Sequence, residues 1–338
     1  MAKWYGVSGP EEDVVISTRI RIARNLQGYR FPQEINIEES EKLTQEVLNG
    51  AKNIPNNHNY KFIRIGNLSP VDRMIYVEEH LISPNLIQNT DKGSFLLRED
   101  ENVAIMINEE DHIRTQAILP GLNLEKGWQM CDEIDNYLED SLDYAFHEDF
   151  GYLTACPTNV GTGLRASAMV HLPSLSMTGY IDNLVHGLNK IGLTARGIYG
   201  EGTNAMGNLY QISNQTTLGE REEKIIEKLK NVIYQIIQRE RNVRNSLFSK
   251  RKIEMEDMIM RSLGILKYSR KMSTVESMKH LSNVRLGMEM GIIKDIEFKD
   301  ISKLMVDIQP ANIQRSIDGD SSEEERDIER AILIRKSI

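Results

Sequence analysis

Apolar residues recur along the chain with two different periods, and the change of period divides it. Residues 14–22 are β-branched and partly alternating, with arginines interleaved, and residues 103–107 form a short apolar run, so both predict strands. Residues 195–199 and 209–212 predict two more, separated by a Gly- and Asn-rich loop. Residues 38–48 and 130–146 carry apolar positions at helical spacing, the second with a strongly acidic face. From Glu220 the helical period takes over. Ile225, Ile226, Leu229, Val232, Ile233, Ile236 and Ile237 form one stripe, with Glu, Lys and Arg opposite. Residues 255–266, 275–290 and 301–308 continue in the same manner. The pattern predicts a mixed strand-and-helix catalytic domain over residues 1–247 and a smaller helical domain over 248–338, with the basic stretch 244–252 at the junction. No internal repeat of fixed period is evident, and the one low-complexity patch is the acidic stretch 318–325.

Composition narrows the classes. With 338 residues and 40% apolar content the chain can bury a large core. A net charge of -9 argues against general nucleic-acid binding and makes any local arginine cluster more informative. Two cysteines, Cys131 and Cys156, do not make a disulfide framework and fit a reducing compartment. No apolar run is long enough to cross a membrane. The first ten residues lack the layout of a signal peptide, so a soluble cytoplasmic protein is expected.

The candidate chemistry lies in scattered arginines. There is no GxxxxGK[ST] loop, and no Gly-rich loop with HRD and DFG motifs, which excludes the P-loop and ordinary protein-kinase layouts. Instead Arg19 and Arg21 stand in Ser17-Thr18-Arg19-Ile20-Arg21, Arg114 follows Asn108-Glu-Glu-Asp-His-Ile, Arg165 precedes Ala166-Ser167-Ala168-Met169, and Arg196 opens Arg-Gly197-Ile198-Tyr199-Gly200-Glu201. On a strand Arg19 and Arg21 share a face, and adjacent like charges cost energy unless an anion lies between them. No lysine occurs between Lys3 and Lys42 or between Lys126 and Lys190, and arginine alone suits bidentate gripping of phosphate oxygens. A solvated sheet face explains any one pair about as well; it explains four such segments poorly. Glu110 and Glu201 could align a guanidinium and take its proton during attack on a γ-phosphoryl group. An acidic loop or a metal site is the competing reading of residues 109–112, weakened by the want of further ligands at suitable spacing. Cys156 reads either as a thiolate orienting a cationic substrate or as a small buried hydrophobe, Cys131 as the latter, and His80 as a structural histidine or a nucleotide contact.

Taken in order across residues 13–219, these segments resemble the phosphagen kinases, the creatine and arginine kinase family. The resemblance implies an α+β fold, an antiparallel sheet flanked by helices. It implies ATP with Mg2+ as donor, with residues 17–21, His80, Arg114, residues 165–169 and residues 196–201 around the nucleotide. It implies that Glu110 and Glu201 handle the guanidino group and that Cys156 is the family's reactive cysteine. Three departures point to the branch that phosphorylates arginine in proteins. Only sixteen residues precede Ser17, where metabolite kinases carry a helical lid; Tyr199 stands where they usually carry arginine; and a helical domain follows. That branch also carries an Arg-Asp-x-x-Arg-Ala motif, here Arg326-Asp327-Ile328-Glu329-Arg330-Ala331, as an allosteric phosphoarginine receptor. From spacing alone the motif is a solvated mixed-charge helix, with Arg326 and Arg330 repelling at i and i+4. The branch further implies an activator of the McsA type, a heat-shock repressor and the ClpC protease machinery as partners, and the apolar helical stripes suggest a homodimer or higher homo-oligomer. A kinase for free arginine, or a non-catalytic phosphoarginine reader, are the alternatives.

Overall fold

The structure is a computed structural model that describes residues 3–198, 205–317 and 319–338. Its strands are β1 (Val15–Arg24), β2 (Tyr60–Arg64), β3 (Ser94–Arg98), β4 (Val103–Ile107), β5 (Ile113–Pro120), β6 (Phe146–His147), β7 (Gly151–Tyr152), β8 (Leu164–His171), β9 (Leu193–Gly197) and β10 (Leu209–Asn214). Among the described residues, eight of them form one sheet in the order β2-β3-β4-β5-β1-β8-β10-β9, every neighbouring pair antiparallel. β6 and β7 make a separate hairpin. The antiparallel sheet flanked by helices, followed by an all-helical region, is the architecture expected.

The helices are α1 (Ile37–Ala51), α2 (Pro70–Glu78), α3 (Leu124–Glu139), α4 (Pro173–Met177), α5 (Ile181–Lys190), α6 (Glu222–Lys250), α7 (Lys252–Tyr268), α8 (Thr274–Glu289), α9 (Phe298–Asp307), α10 (Pro310–Arg315) and α11 (Glu323–Ser337). α1, α3 and α6 cover one face of the sheet, where Ile20, Ile22, Ala166, Ala168 and Ile212 meet Leu43, Ile134, Ile233 and Ile237. The approach of α3 is close enough that a Cβ on Gly127 would lie 2.9 Å from Ile20 Cγ1, which is why a glycine stands there.

The expected helix at residues 130–146 instead spans Leu124–Glu139. Residues beyond it are drawn into sheet-like pairing by buried Leu142 and Tyr144, the latter bridged to Leu26. The basic stretch at the expected junction continues as helix to Lys250, and the backbone breaks at Arg251. Arg244, within that stretch, is buried between Asp13 and Glu289 and therefore serves packing rather than a linker.

Candidate active site

Strand parity assembles the arginines. In the antiparallel register Arg21 lies opposite Arg165 on β8, and Arg19 opposite Ser167. Ala23, two residues on, lies opposite Arg114 on β5. Ser167 in turn faces Ser213 on β10, and Gln211 faces Arg196 on β9. Residues two apart on a strand share a face, so Arg19, Arg21, Arg114, Arg165 and Arg196 all lie on one side of the sheet. Arg24 falls on the other parity and is buried against Asp135, 2.6 Å away, with its guanidinium over the Tyr152 ring.

A like-charged pair directly opposite across a ladder is destabilising. Burial, together with the charges of Arg19, Arg114 and Arg165, pushes the Arg21 guanidinium well below the usual arginine range. Arg165 is lowered by burial and by Arg196 and Arg114. Arg21 Nε is buried, and among the described residues it finds no hydrogen-bond partner. Among the described residues two of the five are seen braced. Arg19 Nη2 donates to Gln211 Oε1 (2.9 Å), whose own amide donates to Ser167 Oγ (2.8 Å). Arg114 Nη1 donates to Glu109 Oε2 (2.5 Å). The face is thus a concentration of positive charge with half-satisfied donors, suited to a polyanion such as a nucleotide triphosphate.

The β4–β5 turn supplies the rim. It reverses at Asn108, whose φ is +57°, and its tip carries Glu109, Glu110 and Asp111. Glu109 is buried and accepts from Ser83 Oγ (2.5 Å), the Glu110 amide (2.8 Å) and Arg114. Burial tends to raise its carboxyl, but Arg114 and these hydrogen bonds win and hold it below the usual range. Glu110 is raised, by burial first and by the neighbouring Asp111 and Glu109 charges, with Arg114 opposing. A carboxylate whose basicity is raised beside a cluster of arginines has the property a proton acceptor needs. Asp111 Oδ1 accepts from Asn25 Nδ2 and from the Ala155 amide, each at 2.7 Å, so it ties the Glu110 turn to the segment just before Cys156. Cys156 is half-buried with Sγ 3.0 Å from Thr158 Oγ1, and it is near enough to Arg165 to favour that cation.

His112 is not free to serve the metal reading of residues 109–112. The Leu26 amide donates to His112 Nδ1 (3.0 Å), so the ring proton sits on Nε2 and goes to the Arg30 carbonyl (2.7 Å). Both nitrogens are thereby used within the protein. Among the described residues no three His, Cys, Asp or Glu side chains are grouped to hold a metal ion.

The remaining expected residues divide by parity. Ser17, Arg19, His80, Ser167, Met169 and Ile198 line one narrow pocket with Gln211. Burial and the Arg19 charge push His80 down to about 3, so it meets a ligand as a neutral ring. Thr18, Ile20, Ala166 and Ala168 point the opposite way; Ile20, Ala166 and Ala168 are in the core, and Thr18 donates to the Gly121 carbonyl (2.8 Å). Gly197 has the same parity, whereas Tyr199, Gly200 and Glu201 lie outside the described residues. Glu109, Asp111, Ser83 and Gln211 were not singled out from the sequence. Glu109 and Asp111 were visible only as neighbours of Glu110, and nothing local ties Ser83 to either.

Residues 39–243 match the family profile of the ATP:guanido phosphotransferase C-terminal catalytic domain, and residues 252–338 match that of the protein-arginine kinase McsB C-terminal domain. A protein-arginine kinase of Clostridium tetani (strain Massachusetts / E88) is 46% identical over 338 residues, 100% of this chain and 99% of the relative. The chain belongs to the ATP:guanido phosphotransferases, in their protein-arginine kinase branch. A protein-arginine kinase of Bacillus pumilus (strain SAFR-032) is 44% identical over 340 residues, covering 100% of this chain and 93% of its own. Among solved structures, a lombricine kinase superposes with a TM-score of 0.61 at 25% identity, covering 71% of this kinase and 70% of itself. A duplicated taurocyamine kinase from Schistosoma mansoni reaches 0.63 at 23% identity over 77% of this kinase and 39% of itself, a likeness of fold.

In this kinase the two arginines of the Arg326 to Ala331 motif have different surroundings. Arg326 is half-buried, donates to the Ser321 carbonyl (2.7 Å), and borders a cleft with Pro70, Met74, Glu78, Pro310 and Gln314. Ile328 is exposed. Arg330 is buried and donates to the Ile308 carbonyl (2.8 Å), the Met272 carbonyl (2.9 Å) and Asp327 Oδ1 (2.5 Å), with Ala331 buried beside it. Their like charges are separated because Arg330 turns inward to three acceptors. Arg330→Ala should therefore lower unfolding free energy by about 3 kcal/mol in a denaturant titration, because it strands two buried carbonyls and a half-buried carboxylate. Arg326→Ala should cost less than about 1 kcal/mol.

Proposed function

We propose that the kinase transfers the γ-phosphoryl group of MgATP to the guanidinium of arginine side chains in proteins. The observation that carries this reading is the arginine face with a basicity-raised carboxylate at its rim. Arg19, Arg21, Arg114, Arg165 and Arg196 would surround the phosphates, with His80, Ser17, Met169 and Ile198 at the pocket beside Arg19. Mg2+ would enter with the nucleotide and would help neutralise charge on its phosphates. Glu110 would align the acceptor by paired hydrogen bonds and take the proton as the N–P bond forms and the bond to the leaving ADP breaks. Glu201 would be the second aligning carboxylate, and Cys156 would favour the cationic acceptor. The arginines hold the equatorial oxygens, where charge spreads in the transition state.

The same reading places the kinase in the cytoplasm as a homodimer or larger assembly. It marks proteins for a ClpC-type protease and acts on a heat-shock repressor with an McsA-type activator. Residues 326–331 would serve as its phosphoarginine receptor, with Arg326 at the cleft facing the anion. The test is transfer from γ-labelled ATP to an unfolded arginine-containing protein and, separately, to free arginine, with acid lability marking the N–P bond. Label on protein is expected. Label on the free amino acid alone would favour a metabolite kinase, and none on either, with phosphoarginine bound, a reader.

A further inference from the structure

One stripe of α8 is polar although it is buried. Ser282, Arg285 and Glu289 lie at i, i+3 and i+7, on one helix face, and their side chains are essentially inaccessible. They meet the catalytic sheet through His171, the last residue of β8, which is also fully buried.

The hydrogen bonds converge on Glu289. Arg244 Nη1 donates to Glu289 Oε2 (2.6 Å), and Glu289 Oε1 lies 2.9 Å from His171 Nδ1. His171 Nε2 lies 2.8 Å from Ser282 Oγ, which itself accepts from Asn208 Nδ2 (2.8 Å). A carboxylate only accepts, so His171 Nδ1 carries the proton and Nε2 accepts from the Ser282 hydroxyl. One neutral imidazole satisfies the whole chain, and burial keeps His171 below its ordinary range, against the pull of Glu289.

Hydroxyl, imidazole and carboxylate in this order have the layout of a nucleophile triad. The Ser282 hydroxyl is sealed from solvent and accepts from Asn208, so the arrangement is a strut.

What it braces is the arginine face. β8 carries Arg165 and Ser167 and ends at His171. β10 carries Gln211, the partner of Arg19, and starts one residue after Asn208, whose φ is +55°. β1 carries Arg19 and Arg21 and starts beside Asp13 and Val14. Asp13 takes Arg244 (2.9 Å), the Val14 carbonyl accepts the His171 amide (2.8 Å), and Arg285 donates to the Glu12 carbonyl. Three strands of the cradle are thus anchored to a single helix of the other domain. A buried polar network adds little stability over an apolar stripe of the same shape, but its bond geometry admits one register.

We propose that Ser282, His171 and Glu289 are positioning residues for phosphoryl transfer, holding the ends of β1, β8 and β10 in the register that aligns the arginines. This rests on the arginine face being the nucleotide site. Small displacements of aligned groups cost on the order of 100-fold in rate.

The experiment measures kcat, KM for ATP and melting temperature for Ser282→Ala, His171→Leu and His171→Asn, at a temperature far below melting. Ser282→Ala removes one oxygen and keeps the helix. Its kcat should fall roughly 10- to 100-fold, with a smaller change in KM, since ground-state binding tolerates misalignment better than the transition state does. His171→Leu should fall at least as far. His171→Asn, whose amide can donate to Glu289 as Nδ1 does, should recover tenfold or more over leucine. Unchanged kcat in folded Ser282→Ala overturns the proposal, as does equal kcat in the asparagine and leucine variants at equal stability. Failure of the wild-type kinase to bind ATP would instead overturn the nucleotide-site reading.

Discussion

Replacing Arg21 with methionine should give a protein that melts higher and transfers phosphate at least 100-fold more slowly. The two effects share a cause. Without ligand, Arg21 is half-buried among Arg19, Arg114 and Arg165, and its buried Nε has no partner among the described residues. Methionine keeps most of the apolar stem and deletes the charge, relieving desolvation and repulsion together. A gain of about 1–2 kcal/mol would raise the melting temperature by several degrees. On the proposed function the same charge would face phosphoryl oxygens during transfer, where one preorganised donor is worth about 100- to 1000-fold in rate. Differential scanning calorimetry and the labelled-ATP assay measure both. A lower melting temperature would mean that Arg21 is compensated in the unliganded protein, and an undiminished rate would remove it from the phosphate cradle. ATP should also raise the melting temperature of the wild type more than that of the variant, because binding is linked to stability.

Glu110→Gln should lower kcat by about 100- to 10,000-fold while leaving ATP affinity nearly unchanged. Glutamine retains the size and one acceptor oxygen but cannot take a proton. In the wild type, the acceptor form is the carboxylate, and Glu110 is raised above the ordinary carboxyl range. Activity should therefore rise with pH along a limb displaced upward from that range, and the limb should vanish in the variant. If the glutamine variant keeps near-normal kcat with the same limb, the proton acceptor is another group. Glu109 is not that group by its surroundings: it is held ionised by Arg114, Ser83 and the Glu110 amide, and Glu109→Gln should act through a loosened Arg114.

The shared arginine face was legible in the local sequence. Arg19 and Arg21 announce a shared face by their spacing, and the arginine-only stretches around them are visible in the composition. Strands β2, β3, β5 and β8 were harder to read. Phe95, Leu96 and Leu97 in β3 are all buried, so the strand has no polar alternation to show. β8 places Ala166 and Ala168 in the core, because α3 and α6 press closely on that face, and alanines do not read as a strand. The motif around Ser167 implies nucleotide contacts for its two alanines as well, but parity sends their side chains away from the arginines.

By itself the sequence determined the chemistry available: an acidic protein with arginines at strand spacing, carboxylates near two of them, and a helical period beyond Glu220. Only the tertiary structure decided which charges meet. The register of β1 with β5 and β8 sets Arg114 beside Arg21 and Arg165 across from it, although the three are far apart in sequence. Asp111 joins the Glu110 turn to the Cys156 segment. Arg330, one of a matched pair on paper, is turned inward by the Ile308 and Met272 carbonyls of distant segments, with Asp327 on its own helix as the third acceptor. The physical reason is common to all three. A residue's period reports which face it takes, but its ionisation and its partners depend on what the folded chain brings within a few ångströms.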